Sequence, residues 1–450
     1  MKDCISCGKI NKYFGYIFLS VLFKLLQDVV FGTNYNNSFQ ELKLFKMPND
    51  HYVIHDLFGY MVVFFSSLIV YICRKNRPKN VLISKAESAQ DQKEEDYSKK
   101  YFVTLLFVII LWVIEMQLKQ LYDDFLKNLD FWMLELIIMF YFMKKTFNVE
   151  LYKHQKLSFL IIIFPFIFKV GTIILSIISH DGNDPGFLYI DYKLLIPIGI
   201  ILYIILLISE SYILTTIKFF MDIRFISVPK VLIYFGLFGS IICLIIVFSS
   251  SHIKCPYFEE NICQLKYNDH NNKTIYYLEN YKIYFSDLKE NIIKEIIINI
   301  LGQFSFLFDS FFSLLVIKYL SPIHKIFSIP LYFFSQKTLL VIINLCKEHT
   351  FFSKNKIKYI QWKFTLDITS DLVSIIGLMI YLEIIVFNFC DFNYDTRESI
   401  SIRAIDDILS DSKEKDFLFL QNGDIEEITV NVKRKNKSKN NKKSIEFQTQ

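Results

Sequence analysis

The sequence predicts an all-α fold, a polytopic membrane bundle of about ten transmembrane helices, and three observations carry that prediction. The chain of 450 residues is 53% hydrophobic and holds only 13 Gly, too few for a loop-rich or fibrous protein. Its apolar residues gather in runs of about 20, the length that crosses a hydrocarbon core. Basic residues concentrate in alternate connections between those runs. The net charge of +5 lies in loops and tails, which fits orientation in a lipid bilayer and gives no reason to expect a nucleic-acid partner.

The ten runs lie near 13–32, 56–73, 101–117, 129–143, 157–179, 193–214, 230–250, 291–317, 325–346 and 366–388. The first, Tyr13 to Gly32, lacks a small-residue cleavage site and is expected to be a retained span. The N-terminal segment 1–12 carries Lys2, Lys9 and Lys12, the linker 74–100 carries Arg74, Arg77, Lys79 and Lys99, and the fourth connection carries Lys144, Lys145, Lys153 and Lys156. These segments are expected in the cytoplasm. The intervening connections hold the sequons Asn36-Asn37-Ser38 and Asn272-Lys273-Thr274, which mark the candidate glycoprotein side. The loop 251–290 also holds Cys255 and Cys263, which either pair in an oxidising compartment or stand as two unpaired surface thiols. The expected location is therefore a secretory-pathway or plasma membrane with both termini cytoplasmic.

One connection departs from this pattern, because Lys347, Lys354, Lys356, Lys358 and Lys363 fall on the outer side of the count. The tail 393–450, ending in a basic run from Lys433 to Lys443, has too little apolar content to fold alone and is expected to be disordered. Its charge suits contact with anionic lipid on the cytoplasmic leaflet.

Ten helices divide into two halves of five, 13–179 and 193–388. An odd number of crossings in the first half turns the second upside down, the inverted-repeat plan of many secondary transporters. Pro165 and Pro197 fall on either side of the junction, where they would kink helices beside a midplane site.

Charges inside apolar runs are costly and mark pathways or partners. Between Gly302 and Lys337 two apolar runs flank the turn Ser321-Pro322-Ile323-His324-Lys325, with Asp309 in the first run and Lys337 in the second. At about 1.5 Å per residue, Lys24, Lys169 and Lys337 fall about 16 to 18 Å along their helices, near the midplane. Asp309 and Glu135 lie at a matching depth. Glu210 and Glu383 are expected nearer the cytoplasmic ends, Glu115 and Asp28 nearer the outer side. Lys24, Lys169, Lys337, Asp309 and Glu135 thus form the candidate substrate site, a cationic pocket with acidic partners. The competing reading makes Lys337 with Asp309, and Lys24 with Asp28, structural pairs, and leaves Lys169 snorkelling toward the interface.

Catalytic signals are thin. His51 and His55, with Asp56 beside them, resemble a metal pair without a third ligand, and Cys4 and Cys7 form a lone CxxC. The sequence contains no phosphate-binding glycine loop, HExxH or GxSxG. Neither enzymatic activity, a cofactor nor a metal is expected.

The C-terminal residues Ser321-Pro322, Pro330, Tyr332, Lys337, Asp371, Gly377 and Tyr381 to Ile384 resemble the last hairpin and last helix of a group of multi-pass proteins from protists and fungi. That group is more distantly similar to the drug/metabolite transporters, among them nucleotide-sugar and triose-phosphate carriers. The linker 74–100 and the loop 251–290 are longer than such carriers usually have. The resemblance implies a carrier of an organic anion, a nucleotide sugar or sugar phosphate, working by alternating access. The alternative is a receptor-like or scaffolding membrane protein that signals through its linker and tail.

Overall fold

The computed structural model describes residues 5–7, 13–31, 51–75, 101–125, 132–149, 151–178, 192–253, 265–268, 274–277, 279–290, 292–348, 358–387, 396 and 399. The sequon asparagines Asn36 and Asn272, Cys255, Cys263, Lys354, Lys356 and most of the linker and tail lie outside these residues. The chain forms two compact units, one of Met1–Gly8, Tyr152–His154 and Ile385–Gln450, the other of Lys9–Leu151 and Gln155–Ile384.

The larger unit is helical. In chain order its helices are α1 (Phe14–Phe31), α2 (Tyr52–Lys75), α3 (Phe102–Phe125), α4 (Trp132–Phe147), α5 (Lys153–Ile178), α6 (Tyr192–Asp222), α7 (Val228–Ser250), α8 (Tyr281–Glu290), α9 (Ile292–Tyr319), the short α10 (Pro322–Ile326), α11 (Ser328–Glu348) and α12 (Lys358–Tyr381). The first residues of α5 belong to the smaller unit. Each of the ten apolar runs overlies one of these helices. Among the described residues, five segments are long and apolar enough to cross a membrane: Val53–Arg74, Phe102–Lys119, Ile201–Asp222, Val228–Ser250 and Asn299–Tyr319. Phe14–Gln27 of α1 is apolar but shorter. The outward rows of Phe, Ile and Leu on these helices, such as Phe65, Ile69, Leu244 and Ile245, suit contact with lipid.

Four helix ends, on three helices, differ by more than four residues from the sequence expectation. Helix α6 continues past 214 to Asp222, because its polar last turns have partners inside the protein. Thr215 Oγ1 donates to Met139 Sδ at 3.3 Å, and Lys218 Nζ donates to the Lys318 carbonyl at 2.6 Å, capping the C-terminal end of α9. Helix α3 likewise runs through Gln117 and Lys119 to Phe125. Helix α12 begins at Lys358, so Lys358 and Lys363 are helical rather than in the connection, and it ends at Tyr381 rather than 388. Its end is set by Glu383, whose φ of 60° places it in the left-handed region. There the Ile384 amide donates to the Met379 carbonyl at 2.9 Å, a helix-terminating Schellman turn in which glycine is the usual residue.

Helix α2 packs along α7, α1 along α9, and α6 against both α3 and α4. Helix α9 also meets α2, α3 meets α7, α1 meets α11, and α11 meets α12. Helices α2 and α7 approach closely. A Cβ at Gly236 would stand 2.5 Å from the Phe64 amide nitrogen and 2.7 Å from the Tyr60 carbonyl oxygen, so only glycine lets these backbones touch. One turn on, Gly239 lies under the Tyr60 ring. The α1–α9 seam is aromatic, with Tyr13 stacked on Tyr319 at 4.8 Å and Phe23 on Phe308 at 4.8 Å. A continuous core of Tyr60, Ile109, Met139, Leu214, Phe235 and Phe327 joins α2, α3, α4, α6, α7 and the turn after α10.

In the loop between α7 and α8, β2 (Leu265–Asn268) pairs antiparallel with β3 (Thr274–Tyr277). In the smaller unit, β1 (Ile5–Cys7) pairs antiparallel with β4 (Ile385–Phe387), with Ser6 opposite Val386. Residues 385–387, expected as helix, are therefore strand. In the same unit the Thr396 hydroxyl donates to Ser399 Oγ at 3.0 Å.

Candidate functional site

Charged groups from six elements lie near one another in the helical unit, Glu115 and Glu135 buried, Lys119, Glu210, Asp309 and Lys325 half-buried, and Lys24 exposed. Helix α1 supplies Ser20 and Lys24, one turn apart on one face. Helix α9 supplies Asp309 and Ser313 at the same spacing, and the α1–α9 seam brings the two faces together. Ser20 Oγ donates to Asp309 Oδ1 at 2.6 Å and lies 3.0 Å from Ser313 Oγ, while Ser313 Oγ also approaches Asp309 Oδ1 at 3.3 Å. From the turn below, Lys325 Nζ donates to Ser313 Oγ at 2.7 Å. Lys24 places its ammonium 4.8 Å from the centre of the Tyr332 ring on α11, a cation–π contact.

Ser321 holds the Lys325 turn in place. It precedes Pro322 at the start of α10, and its hydroxyl meets the ring and the amide of His324 at 2.6 and 3.4 Å. Among the described residues neither Lys24 nor Lys325 has a carboxylate within ion-pairing distance. Burial holds the Lys325 ammonium below the usual lysine range; Asp309 and Glu210 oppose that shift, and Lys24 and Lys119 add to it.

On the other side of this group stand α3, α4 and α6. Lys119 Nζ meets Glu210 Oε2 at 2.6 Å. Glu135 and Glu115 also act electrostatically on Lys119, and Lys325 and Lys24 act on Glu210. Glu210 therefore faces three ammonium groups, one in direct contact and two at longer range. The longer α6 explains why its depth was misjudged: counted from Asp222, Glu210 is about 18 Å from the C-terminal end of its helix, level with Lys24 and Asp309 at about 15 Å along theirs.

The expected site residues are distributed as follows. Lys24 and Asp309 belong to the network. Asp309 is held by Ser20 and Ser313. Lys337 pairs instead with Asp371 on α12, at 2.5 Å, and the Asp371 side chain is fully buried, so this contact ties α11 to α12. Glu135 is buried but sits in the first turn of α4 rather than at mid-helix, because α4 starts at Trp132. Lys169 is part of α5, and its side chain lies outside the described residues, as does that of Asp28. Sequence reading missed Lys119 and Lys325 as interior groups. Lys119 lay beyond the apparent end of its apolar run, although its i,i+4 spacing from Glu115 on an apolar helix was a signal. Lys325 looked like a loop residue whose side chain would reach water.

A second polar cluster lies at the start of α2. His51 Nδ1 is 2.7 Å from Glu279 Oε1, with both side chains 1% exposed. Glu279 also accepts from the Asn280 amide at 3.0 Å. His55 Nδ1 is 2.9 Å from Asn299 Oδ1, and Gln303 Nε2 donates to the His55 carbonyl at 2.9 Å. The Tyr284 ring meets both imidazoles edge-on. Asp56 accepts from Gln117 Nε2 at 2.8 Å. The two histidines thus serve separate partners and fasten α2 to the α8–α9 segment. Among the described residues no three His, Cys, Asp or Glu side chains are grouped to hold a metal ion. No protein-family model matches this chain, and no curated protein is similar to it.

Proposed function

We propose that the protein is a secondary transporter of an organic anion, of the nucleotide-sugar or sugar-phosphate class, with Lys24 and Lys325 as its anion-binding groups. The single observation that carries this reading is that Lys24 lies over the Tyr332 ring at 4.8 Å and Lys325 reaches the Ser313 hydroxyl at 2.7 Å, around the Ser20–Asp309–Ser313 group, with neither ammonium ion-paired to a carboxylate among the described residues. An ammonium held without an ion-paired carboxylate favours a ligand of opposite charge, and lysine binds phosphate well as a point charge. The ring offers a face for a sugar or a base. Lys119 and Glu210 keep 33% and 18% exposure, so this ion pair is not sealed off from the surface.

The helix pairings support an inverted repeat of five plus five. Numbering the helices on the ten apolar runs in order, α1 to α5 correspond to α6, α7, α9, α11 and α12. Exchanging each helix with its counterpart maps α2–α7 onto itself, α1–α9 onto α3–α6, α4–α6 onto α1–α11, and α2–α9 onto α3–α7. The α11–α12 pair maps onto α4–α5, where Phe140 and Phe159 meet at 5.6 Å. A chain built this way presents one central site to either side in turn.

The test is uptake by the purified protein in lipid vesicles, with glucose 6-phosphate and UDP-glucose as probes. Lys24→Gln and Lys325→Gln should each reduce uptake of the transported probe by about tenfold or more, the loss of one charge-assisted contact. Unchanged uptake in both folded variants would remove these lysines from the site.

A further inference from the structure

Helices α6 and α7 are joined by the short connection 223–227, and each is apolar enough to cross a membrane right up to that connection, so the turn stays at the bilayer surface. It sets Arg224 between two large apolar side chains that stay in the open, Ile223 at 43% and Phe225 at 40% exposure. Phe225 has a φ of 56°, uncommon for a bulky residue, and the Ile226 amide closes the turn on the Phe220 carbonyl at 3.1 Å. The Arg224 guanidinium is half-buried against aromatic rings, 4.2 Å from the centre of Tyr101, which precedes α3, and 5.3 Å from that of Phe219 on α6. Ring contact uses the face of a guanidinium; its N–H groups lie in the plane and suit phosphate oxygens in pairs.

The surroundings are basic. Helices α4 and α6 run side by side in the same direction, Phe142 meeting Tyr212 at 5.9 Å and Phe147 meeting Phe219 at 6.4 Å. The exposed Lys144 and Lys145 in the last turn of α4 therefore stand beside the ring on which Arg224 lies. Lys230 falls in the first turn of α7. The α2–α7 seam is antiparallel, with Phe64 at Gly236 and Tyr60 at Gly239, which brings the exposed Arg74 at the end of α2 level with Ile226. Among the described residues of these helix ends the one acidic side chain is Asp222, and it is paired with Lys218 at 2.8 Å. Positive charge is thus in surplus at the end of the bundle expected in the cytoplasm.

We infer that the α6–α7 turn binds an anionic phospholipid with more than one negative charge on its headgroup, a phosphatidylinositol phosphate. Its phosphates meet Arg224 and the neighbouring lysines, and its acyl chains cover Ile223 and Phe225. Basic pockets between membrane helices on the cytoplasmic side suit headgroups of this class. A soluble acidic protein would match the charge but leave the two apolar side chains uncovered, and a singly charged lipid would leave several cations unmatched. The site does not depend on what the protein carries.

The experiment is native mass spectrometry of the purified full chain in neutral detergent micelles, titrated with dioctanoyl phosphatidylinositol 4-phosphate and, separately, with dioctanoyl phosphatidylserine and phosphatidylcholine. The phosphoinositide should bind at least about tenfold more tightly than either of the others. Arg224→Gln should weaken its binding by about tenfold or more, the loss of one charge-assisted contact. Lys144→Gln and Lys145→Gln together should do the same, and because both side chains are exposed this variant stays folded even if Arg224→Gln does not. Replacing the basic residues between 433 and 443 by Gln separates the turn from the tail: the Arg224 effect should persist in that background. Inositol 1,4-bisphosphate, the headgroup without acyl chains, should bind at least about tenfold more weakly than the lipid.

Unchanged phosphoinositide binding by the lysine-pair variant would overturn the inference, as would a loss that follows only the tail substitutions. Phosphatidylserine or phosphatidylcholine binding as tightly would refute the choice of headgroup, and inositol bisphosphate binding as tightly would show a site for free phosphate rather than for lipid.

Discussion

The contact between α2 and α7 makes the sharpest structural prediction, through Gly236→Ala. The added methyl carbon would sit 2.5 Å from the Phe64 nitrogen, 2.7 Å from the Tyr60 carbonyl oxygen and 2.8 Å from Phe64 Cα. All three are backbone atoms, so no rotamer change relieves the clash, and ordinary contact needs about 3.4 Å or more. The helices must part by about 1 Å along their closest seam, which also carries Gly239 against Tyr60 and the T-shaped Tyr60–Phe235 contact at 5.1 Å. Overpacking of this kind costs about 1–3 kcal/mol, and a backbone clash belongs at the upper end of that range. Gly15→Ala is the matched control: nothing lies within 4 Å of its added methyl, and replacing a helical glycine by alanine gains up to about 1 kcal/mol in propensity. Unfolding of the purified protein in mixed micelles, titrated with sodium dodecyl sulfate, would report both changes. Gly236→Ala should unfold at lower denaturant fraction than the wild type, and Gly15→Ala at the same fraction or higher. Equal stability of the two variants would refute the close approach of α2 and α7.

Two further outcomes follow from the buried charges. The lowered proton affinity of Lys325 has a definite sign: the folded protein gives up that proton more readily than the unfolded chain, whose lysine titrates near 10.5. The ammonium therefore costs stability below its folded value, and stability rises with pH from there to about 10.5; Lys325→Met should flatten this rise in alkaline unfolding curves, and an identical pH slope in the two proteins would contradict the burial of that ammonium. At the other cluster, His51→Ala leaves Glu279 buried without its imidazole, a change expected to cost about 3 kcal/mol, whereas Glu279→Gln, which keeps a hydrogen-bonding partner for His51, should cost less; equal losses in thermal unfolding would argue against a specific pair.

The sequence placed helices well and their ends poorly, for a physical reason visible in α3, α6 and α12. An apolar run of about 20 residues announces a helix because lipid leaves the backbone no other partner. The ends are decided by neighbours: Lys218 extends α6 because it caps α9, and Glu383 ends α12 through a left-handed turn that composition does not reveal. The site was legible in the same partial way. Lys24 and Asp309 stood out as charges in apolar runs, but the partner of Lys337 depends on which helix lies beside α11, and that is Asp371 on α12 rather than Asp309. Lys325 was hidden most completely, since a lysine in a turn normally faces water and only the buried Ser313 hydroxyl reveals that this one points inward.

The measurement closest to the central claim is counterflow by the wild-type protein in vesicles preloaded with unlabelled glucose 6-phosphate or UDP-glucose, using trace labelled probe outside. A carrier with one central anion site predicts transient accumulation of label above its equilibrium level for at least one of the two probes, abolished when Lys24 and Lys325 are both replaced by Gln. Label that never exceeds equilibrium with either probe, in protein shown to be folded, would contradict the account.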